Sequence, residues 1–284
     1  MQKAIVIVPK ANLYNIDHSH NCCNSEQEVS DELLSGWTVT LSERRGTWGK
    51  VTTHYGYCGW LKLSDIKILN QQDCKLWEDS TSGFLLVQRL TDVLAAPKVQ
   101  ASLLTTLFMG SHVLPCCPPE NGWQKIKLAN NISGYLPSIA VGSPQQNMPL
   151  PREEYLQAEL RSAILAYAYS YLGTQYRWGG KTHEGIDCSG LTFMSYYMCG
   201  VTIYRDAVIQ SGFPVREIPF SNIKPADLLY FPGHIALYIG NGQYIHSTGN
   251  SKSFGCVINS LNPDSTDYRK DLAESLYAVG SVFP

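Results

Sequence analysis

Half of this chain is written twice. Gly36-Trp37-Thr38-Val39, Gly46-Thr47-Trp48-Gly49-Lys50-Val51 and Gly59-Trp60-Leu61 return as Gly110-Ser111-His112-Val113, Asn121-Gly122-Trp123-Gln124-Lys125-Ile126 and Gly134-Tyr135-Leu136. The aromatic pairs Trp48/Trp60 and Trp123/Tyr135 keep the same separation of 12 positions. Such self-similarity marks a duplicated supersecondary unit, and short runs broken by Gly- and Asn-containing turns make that unit a set of strands. Strands are expected at 38–41, 48–52 and 59–63 in the first copy and at 123–128 in the second. Two small all-β units follow, over residues 1–72 and 73–142.

The pattern then changes. Three prolines, Pro144, Pro149 and Pro151, fall within the stretch 143–151, which reads as a linker. Beyond it, Leu156, Leu160, Ile164, Ala168 and Tyr171 recur at three- or four-residue intervals, so the spacing predicts an amphipathic helix over 152–172 with Gly173 as its stop. A second helix is expected over 188–198, burying Leu191, Met194 and Met198. Strands are expected at 227–230, 234–239, 243–247 and 256–259. Helices followed by antiparallel strands describe an α+β domain over 152–284. A length of 284 residues suggests about two domains, and the duplication raises the expectation to three.

Charge excludes several functions. The formal net charge is −2 and no basic run exceeds Arg44-Arg45, so the electrostatic footprint of a nucleic-acid binder is missing. The longest apolar stretches, 4–8 and 163–169, fall far short of the ~20 residues of a membrane helix. Lys3 precedes a short apolar run that ends at Pro9-Lys10, less than a signal-peptide core, and the expectation is a cytoplasmic location, or a secreted one if an export signal has been removed from this sequence. The nine cysteines form an odd set, which suits free thiols in a reducing compartment. They lack the Cys-x-x-Cys spacing of a zinc site, and the cluster His18, His20, Cys22, Cys23 reads as loop rather than metal site.

One cysteine stands apart. Asp187-Cys188-Ser189-Gly190-Leu191 follows Tyr176-Arg177-Trp178-Gly179-Gly180 and puts Cys188 where a loop becomes a helix. Unpaired N–H groups and the helix dipole favour negative charge there, so a thiol of pKa ~8.5 is expected to fall toward the 3.5–7.5 range. The same N–H groups suit an oxyanion. Cys199 and Cys256 read as buried structural cysteines.

Two histidines supply the partner. His234 opens one expected strand and His246 closes the next, with Gly240-Asn241-Gly242 between them. A two-residue Asn241-Gly242 loop in regular register would put the imidazoles on opposite faces. A three-residue loop with Gly242 in the left-handed position of a bulge would put them on one face, with His246 opposite Ala236 and diagonal to His234. A working site requires the second register. His183, His54 and His112 carry no such pairing: exposure is expected for His183 in its Gly-rich loop, and a surface or packing role for the other two.

The run Tyr-x-Trp-Gly-Gly, Asp-Cys-Ser-Gly-Leu, Asp-Leu-Leu before Gly-His-Ile-Ala-Leu-Tyr, then Tyr-Ile-His, over about 155–280, resembles the NlpC-like cysteine peptidases that cut bacterial cell-wall peptides. The preceding repeats resemble bacterial SH3-like barrels. The resemblance implies a papain-like peptidase domain behind two such barrels. It also implies hydrolysis of the γ-D-glutamyl bond to a diamino acid in murein tri- and tetrapeptides with a free N-terminal L-Ala, during wall-peptide recycling. Cys188 would be the nucleophile, His234 the general base and His246 the group that orients it. Asp187 and Tyr176 would receive the substrate's amino group, with Ser189 and Trp178 beside them, although Asp187 also suits a helix cap and Tyr176 and Trp178 also suit packing.

From the first barrel the resemblance implies an acidic residue and a tyrosine that close the cleft. Glu28 and Tyr57 are the candidates, with Tyr55 a rival to Tyr57. The chain departs from the family at Pro225-Ala226-Asp227, where the middle residue is ordinarily Gly. A thiol and an imidazole provide nucleophile and proton carrier, so neither metal nor organic cofactor is implied, and a monomer is expected. The alternatives are a non-catalytic wall-peptide or proline-rich-peptide binder and a lipid acyltransferase using the same residues.

Overall fold

Alternating burial makes the repeated segments strands. Along Trp48–Thr53, Gly49, Val51 and Thr53 are buried while the residues between them face outward, and Ala11 and Leu13 alternate in the same way along Lys10–Asn15. This computed structural model describes residues 1–15, 28–78, 83–144 and 150–283, and element counts refer to those residues. The cluster His18, His20, Cys22, Cys23 and the expected linker residues 145–149 lie outside them. The chain divides into two units, Met1–Pro144 and Gln145–Pro284.

The first unit holds two seven-stranded antiparallel sheets, one within residues 2–68 and one within 85–142. Numbered within its own set, each sheet runs third, second, sixth, fifth, fourth, first, seventh. The duplication seen in the sequence is therefore a duplication of topology. It extends to register, since Lys50 lies opposite Trp60 and Lys125 opposite Tyr135. The pairings leave the first sheet open at Glu28–Leu34 and Ile66–Ile68, so the established architecture is two strand-rich sheets.

The two copies share a core. Trp37, fully buried, donates its indole N–H to the Gly110 carbonyl at 2.8 Å, and the His112 amide donates to the Ser35 carbonyl at 2.9 Å. Phe84 stacks on His112 with ring centroids 4.3 Å apart. A helix between the sheets, Gln71–Glu78, adds Trp77 to a cluster with Ile5, Leu69 and Ala129. His54 is exposed but edge-on to Trp37, with centroids 5.0 Å apart.

In the second unit the first helix is Glu154–Tyr169, which buries Ile164, Leu165 and Ala168. A turn carries the chain to Gly173, whose φ of 81° ends the helical run. The second helix, Cys188–Tyr197, is buried at every position, so it has no solvent-facing stripe. Behind it lies a six-stranded antiparallel sheet in the order Arg216–Ile218, Ala278–Ser281, Leu228–Phe231, His234–Gly240, Gln243–Thr248, Gly255–Ser260. Its two strands at 216–218 and 278–281 were not anticipated from the sequence: the first is three residues long and exposed on two of them, too short for a period.

The turn at Ala226 shows why a glycine suits that position. Ala226 is fully buried with φ = 70°, a left-handed conformation in which its Cβ crowds the backbone. It is held there by its amide, which donates to the Tyr238 carbonyl, and by its carbonyl, which accepts from the Tyr196 hydroxyl. Ala226→Gly is expected to raise the unfolding midpoint of the second unit by the equivalent of about 0.5–1 kcal/mol. Urea unfolding followed by circular dichroism measures it, and an unchanged midpoint would show that the turn carries no strain.

Candidate active site

Three glycines let the cysteine helix start where it does. Gly179, with φ = 74°, donates its amide to Asp187 Oδ2 at 2.8 Å. The Gly180 carbonyl presses on Gly190 so closely that a Cβ there would sit 2.1 Å from it. Asp187 is the N-cap, its Oδ1 accepting from the Gly190 amide at 2.5 Å. Both carboxylate oxygens also accept from Arg205, at 3.1 and 3.0 Å. Arg205 is itself buried and donates to Ser189 Oγ at 2.6 Å. Asp187 thus accepts from these four donors and, at 3.4 Å, from the Ser189 hydroxyl, which fills the capacity of a carboxylate. Cys188 follows it at the first helical position, 6% exposed.

The hairpin after it brings the histidines together. Asn241 and Gly242, with φ of 53° and 73°, make a two-residue turn closed by the pair Gly240 and Gln243. Regular pairing from that turn would have separated the imidazoles. The register shifts between Tyr238 and Gly240 instead, so Tyr238 faces Tyr244 and Leu237 faces Ile245. Continued by one residue, this register sets Ala236 against His246. The pairing matches the sequence expectation, but the device differs: the extra residue is Ile239 within the strand, and the loop has two residues rather than three.

The consequence is a hydrogen-bonded chain. His234 Nε2 lies 2.7 Å from His246 Nδ1, with the rings nearly perpendicular at 80°. His246 is fully buried, and its Nε2 lies 2.8 Å from Asn259 Oδ1. The main-chain amide of Ile235, the residue after His234, points to the Cys188 sulfur, as does that of Ser189. Cys188, His234 and His246 therefore share one site.

Residues 173–269 match the model of the NlpC/P60 family. A dipeptidyl-peptidase 6 of Lysinibacillus sphaericus is 36% identical over an alignment that covers 99% of both chains. The chain belongs to the NlpC/P60 family of cysteine peptidases. A γ-D-glutamyl-L-lysine dipeptidyl-peptidase of Bacillus subtilis (strain 168) is 26% identical, covering 87% of this chain and 80% of its own. In fold, the chain is similar to the crystal structure of an NlpC/P60 family protein from Bacillus cereus ATCC 10987, with a TM-score of 0.78 at 22% identity, over 99% of this chain and 100% of that one.

Electrostatics in this NlpC/P60 site differ from the sequence expectation. The Cys188 thiol is pushed up to about 11, first by burial and then by the neighbouring Asp187 charge. The Ile235 amide, Arg205 and the Ser189 amide pull the other way and do not prevail. The helix start does not produce a resting thiolate, because burial and the anionic cap outweigh the dipole. His234 is held down at about 4 by burial and then by Arg269, and His246 at about 3 by burial and then by His234. At neutral pH the thiol and both imidazoles are uncharged.

The other expected residues divide. Tyr176 is half-buried, with its hydroxyl raised by burial and by the charges of Cys188 and Asp187, so it stays a neutral donor beside them. Trp178 is 58% exposed. Ser189 is buried against Arg205, a residue for which the sequence offered no spacing signal, and neither did it single out Asn259. In the first unit, Glu28 is exposed at the start of its strand and Tyr57 is half-buried. In the same unit Asp31 and Tyr55 are both buried, the Tyr55 hydroxyl donating to Asp31 Oδ2. His183 is not exposed as expected: it stacks on Tyr171 with centroids 4.2 Å apart. Cys199 and Cys256 are buried, and burial pushes each thiol up to about 12.

Two outcomes follow from the geometry. Gly190→Ala drives a methyl into the Gly180 carbonyl and is expected to lower the unfolding midpoint and displace the helix start, read by thermal denaturation and by loss of any Cys188-dependent turnover. Since only the thiolate alkylates and about one thiol in 10⁴ is ionised at pH 7, Cys188 alkylation by iodoacetamide should climb with pH toward a midpoint near 11. A midpoint below 8, read by peptide mass spectrometry, would contradict the burial argument.

Proposed function

We propose that the second unit hydrolyses the γ-D-glutamyl bond to a diamino acid in murein peptides with a free N-terminal L-Ala, releasing L-Ala-γ-D-Glu. The observation that carries this is the chain His234–His246–Asn259, whose first member precedes Ile235, the residue whose amide points to the Cys188 sulfur. The names of the relatives, dipeptidyl-peptidase 6 and γ-D-glutamyl-L-lysine dipeptidyl-peptidase, support the substrate class.

In this reading Cys188 Sγ attacks the γ-carbonyl as its proton passes to His234 Nδ1. The neutral thiol needs that transfer in the same step, and the low basicity set by burial makes the imidazolium a strong acid for the departing amine. Collapse of the tetrahedral species breaks the C–N bond, and the amine leaves with the proton, forming a thioester. Water, deprotonated by His234, attacks the thioester and releases the acid, while Cys188 recovers its proton. His246 orients His234 throughout. The Tyr176 hydroxyl, which feels Cys188 and Asp187, borders this chemistry, and it and the exposed Trp178 ring are assigned to the substrate. The Asp187 carboxylate, also assigned to the substrate's ammonium group, does so as a long-range charge, because its lone pairs are taken by Gly179, Gly190 and Arg205.

The two sheets of the first unit are read as SH3-like barrels over 1–72 and 73–142, with 143–151 as a linker to the peptidase domain 152–284. Their identical strand order supports that division. Free cysteines at seven described positions support a reducing, cytoplasmic compartment. Among the described residues no helix is long and apolar enough to cross a membrane.

Digestion of L-Ala-γ-D-Glu-meso-diaminopimelate and its L-Lys counterpart, followed by mass spectrometry, tests the proposal. Release of L-Ala-γ-D-Glu is expected, with a loss of at least about 10³-fold in Cys188→Ala and in His234→Ala. Intact peptides with reduced Cys188 would overturn it. N-acetylation of the L-Ala is expected to suppress cleavage, and equal rates on both forms would remove the amine-recognition assignment.

A further inference from the structure

The proton positions in the histidine chain are decided at its far end. Asn259 is buried, on the strand Gly255–Ser260, and its amide makes two hydrogen bonds. One reaches the Asp267 main-chain carbonyl at 3.0 Å and the other meets His246 Nε2 at 2.8 Å. A carbonyl oxygen only accepts, so the group facing Asp267 must be the NH₂ and the group facing His246 must be the oxygen. An amide oxygen also only accepts, so His246 Nε2 must carry a hydrogen. Neutral His246 then has a bare Nδ1, which accepts from His234 Nε2–H at 2.7 Å. Neutral His234, protonated on Nε2, is left with its lone pair on Nδ1. One backbone carbonyl therefore fixes three successive donors and leaves the last lone pair on His234 Nδ1.

We infer that Asn259 is a positioning residue that holds both histidines in the Nε2–H tautomer and so keeps His234 Nδ1 available as the base. The inference rests on His234 being the base, but the tautomer itself is independent of any substrate. Its anchor is stable: the Asp267 carbonyl also accepts from the Ser260 amide at 3.0 Å, in the loop that follows Asn259 along the chain. Other charges face the pair from the neighbouring elements. Arg269 and Asp271 lie within reach of both imidazoles, joined to each other by two hydrogen bonds of 2.8 and 2.6 Å, so their effects oppose. The Asp187 charge, itself paired with Arg205, reaches His234. Tyr244 packs edge-on to His246 with centroids 5.1 Å apart.

Substituting the amide changes the proton order in defined ways. Asn259→Leu keeps the volume but removes the acceptor, which frees His246 to protonate Nδ1 and turns a lone pair of His234 toward it. The His234 hydrogen then moves to Nδ1, the wrong nitrogen. In Asn259→Asp the carboxylate favours charged His246, whose Nδ1–H again confronts His234. Arrest should therefore set in at higher pH than in the wild type.

The test has two arms. ¹⁵N NMR of the full chain labelled at histidine, assigned with His234→Gln and His246→Gln, should show protonated Nε2 and bare Nδ1 on both rings between pH 6 and 8. A hydrogen on His234 Nδ1 overturns the inference, whatever the turnover. On the tripeptide, Asn259→Leu should lose about 10- to 100-fold in kcat with little change in KM. Asn259→Asp should raise the acidic limb of kcat/KM by about one pH unit or more. Folded variants, judged by an unaltered circular dichroism spectrum, that keep both the wild-type kcat and the wild-type acidic limb overturn it. A wild type that cleaves no tripeptide overturns the peptidase reading alone, because the NMR arm still reports the tautomers.

Discussion

One extra residue in one strand governs the chemistry of the second unit. Side chains alternate across a sheet, so the hairpin between His234–Gly240 and Gln243–Thr248 would send its two histidines to opposite faces if it paired without interruption from its tight turn. Ile239, left unpaired by the register shift, moves His246 to the face of His234 and into hydrogen-bonding distance. From there the hydrogen-bonded chain runs inward to Asn259. Loss of that bulge would separate the imidazoles without altering a single functional residue.

Burial sets the electrical state of the site. The thiol, His234 and His246 all lie where charge is poorly solvated, and each is driven toward its neutral form. The fixed charge closest to the sulfur in sequence, Asp187, is tied to a buried guanidinium that approaches both its oxygens. That pairing lets an anionic cap stand beside the thiol without leaving an isolated charge in the interior. The resting arrangement is thus an uncharged thiol and two uncharged imidazoles.

The first unit solves a different problem. Each seven-stranded copy is small, and the contacts between copies run through Trp37, His112, Phe84 and Trp77, which bury apolar surface that one sheet alone would expose. The shared strand order shows that both copies solve the strand-pairing problem in the same way.

Periodicity and turn chemistry are local, and what depended on them was legible in the sequence: the duplicated strands, the helix Glu154–Tyr169, the start of Cys188–Tyr197 and the hairpin histidines. The Ala226 turn was legible as a departure whose cost, a left-handed backbone at a non-glycine residue, only the coordinates reveal. Arg205 and Asn259 carried no pattern, being separated from their partners by 18 and 13 positions of chain that tertiary folding brings together. The thiol's acidity was misjudged for the same reason. A helix terminus is visible in a sequence, but the depth at which it is buried and the company of its cap are not. Sequence alone determined which residue types were present and in what local conformations, since those follow from neighbours along the chain. Tertiary structure decided which of them touch, how far water is excluded, and hence where each proton resides.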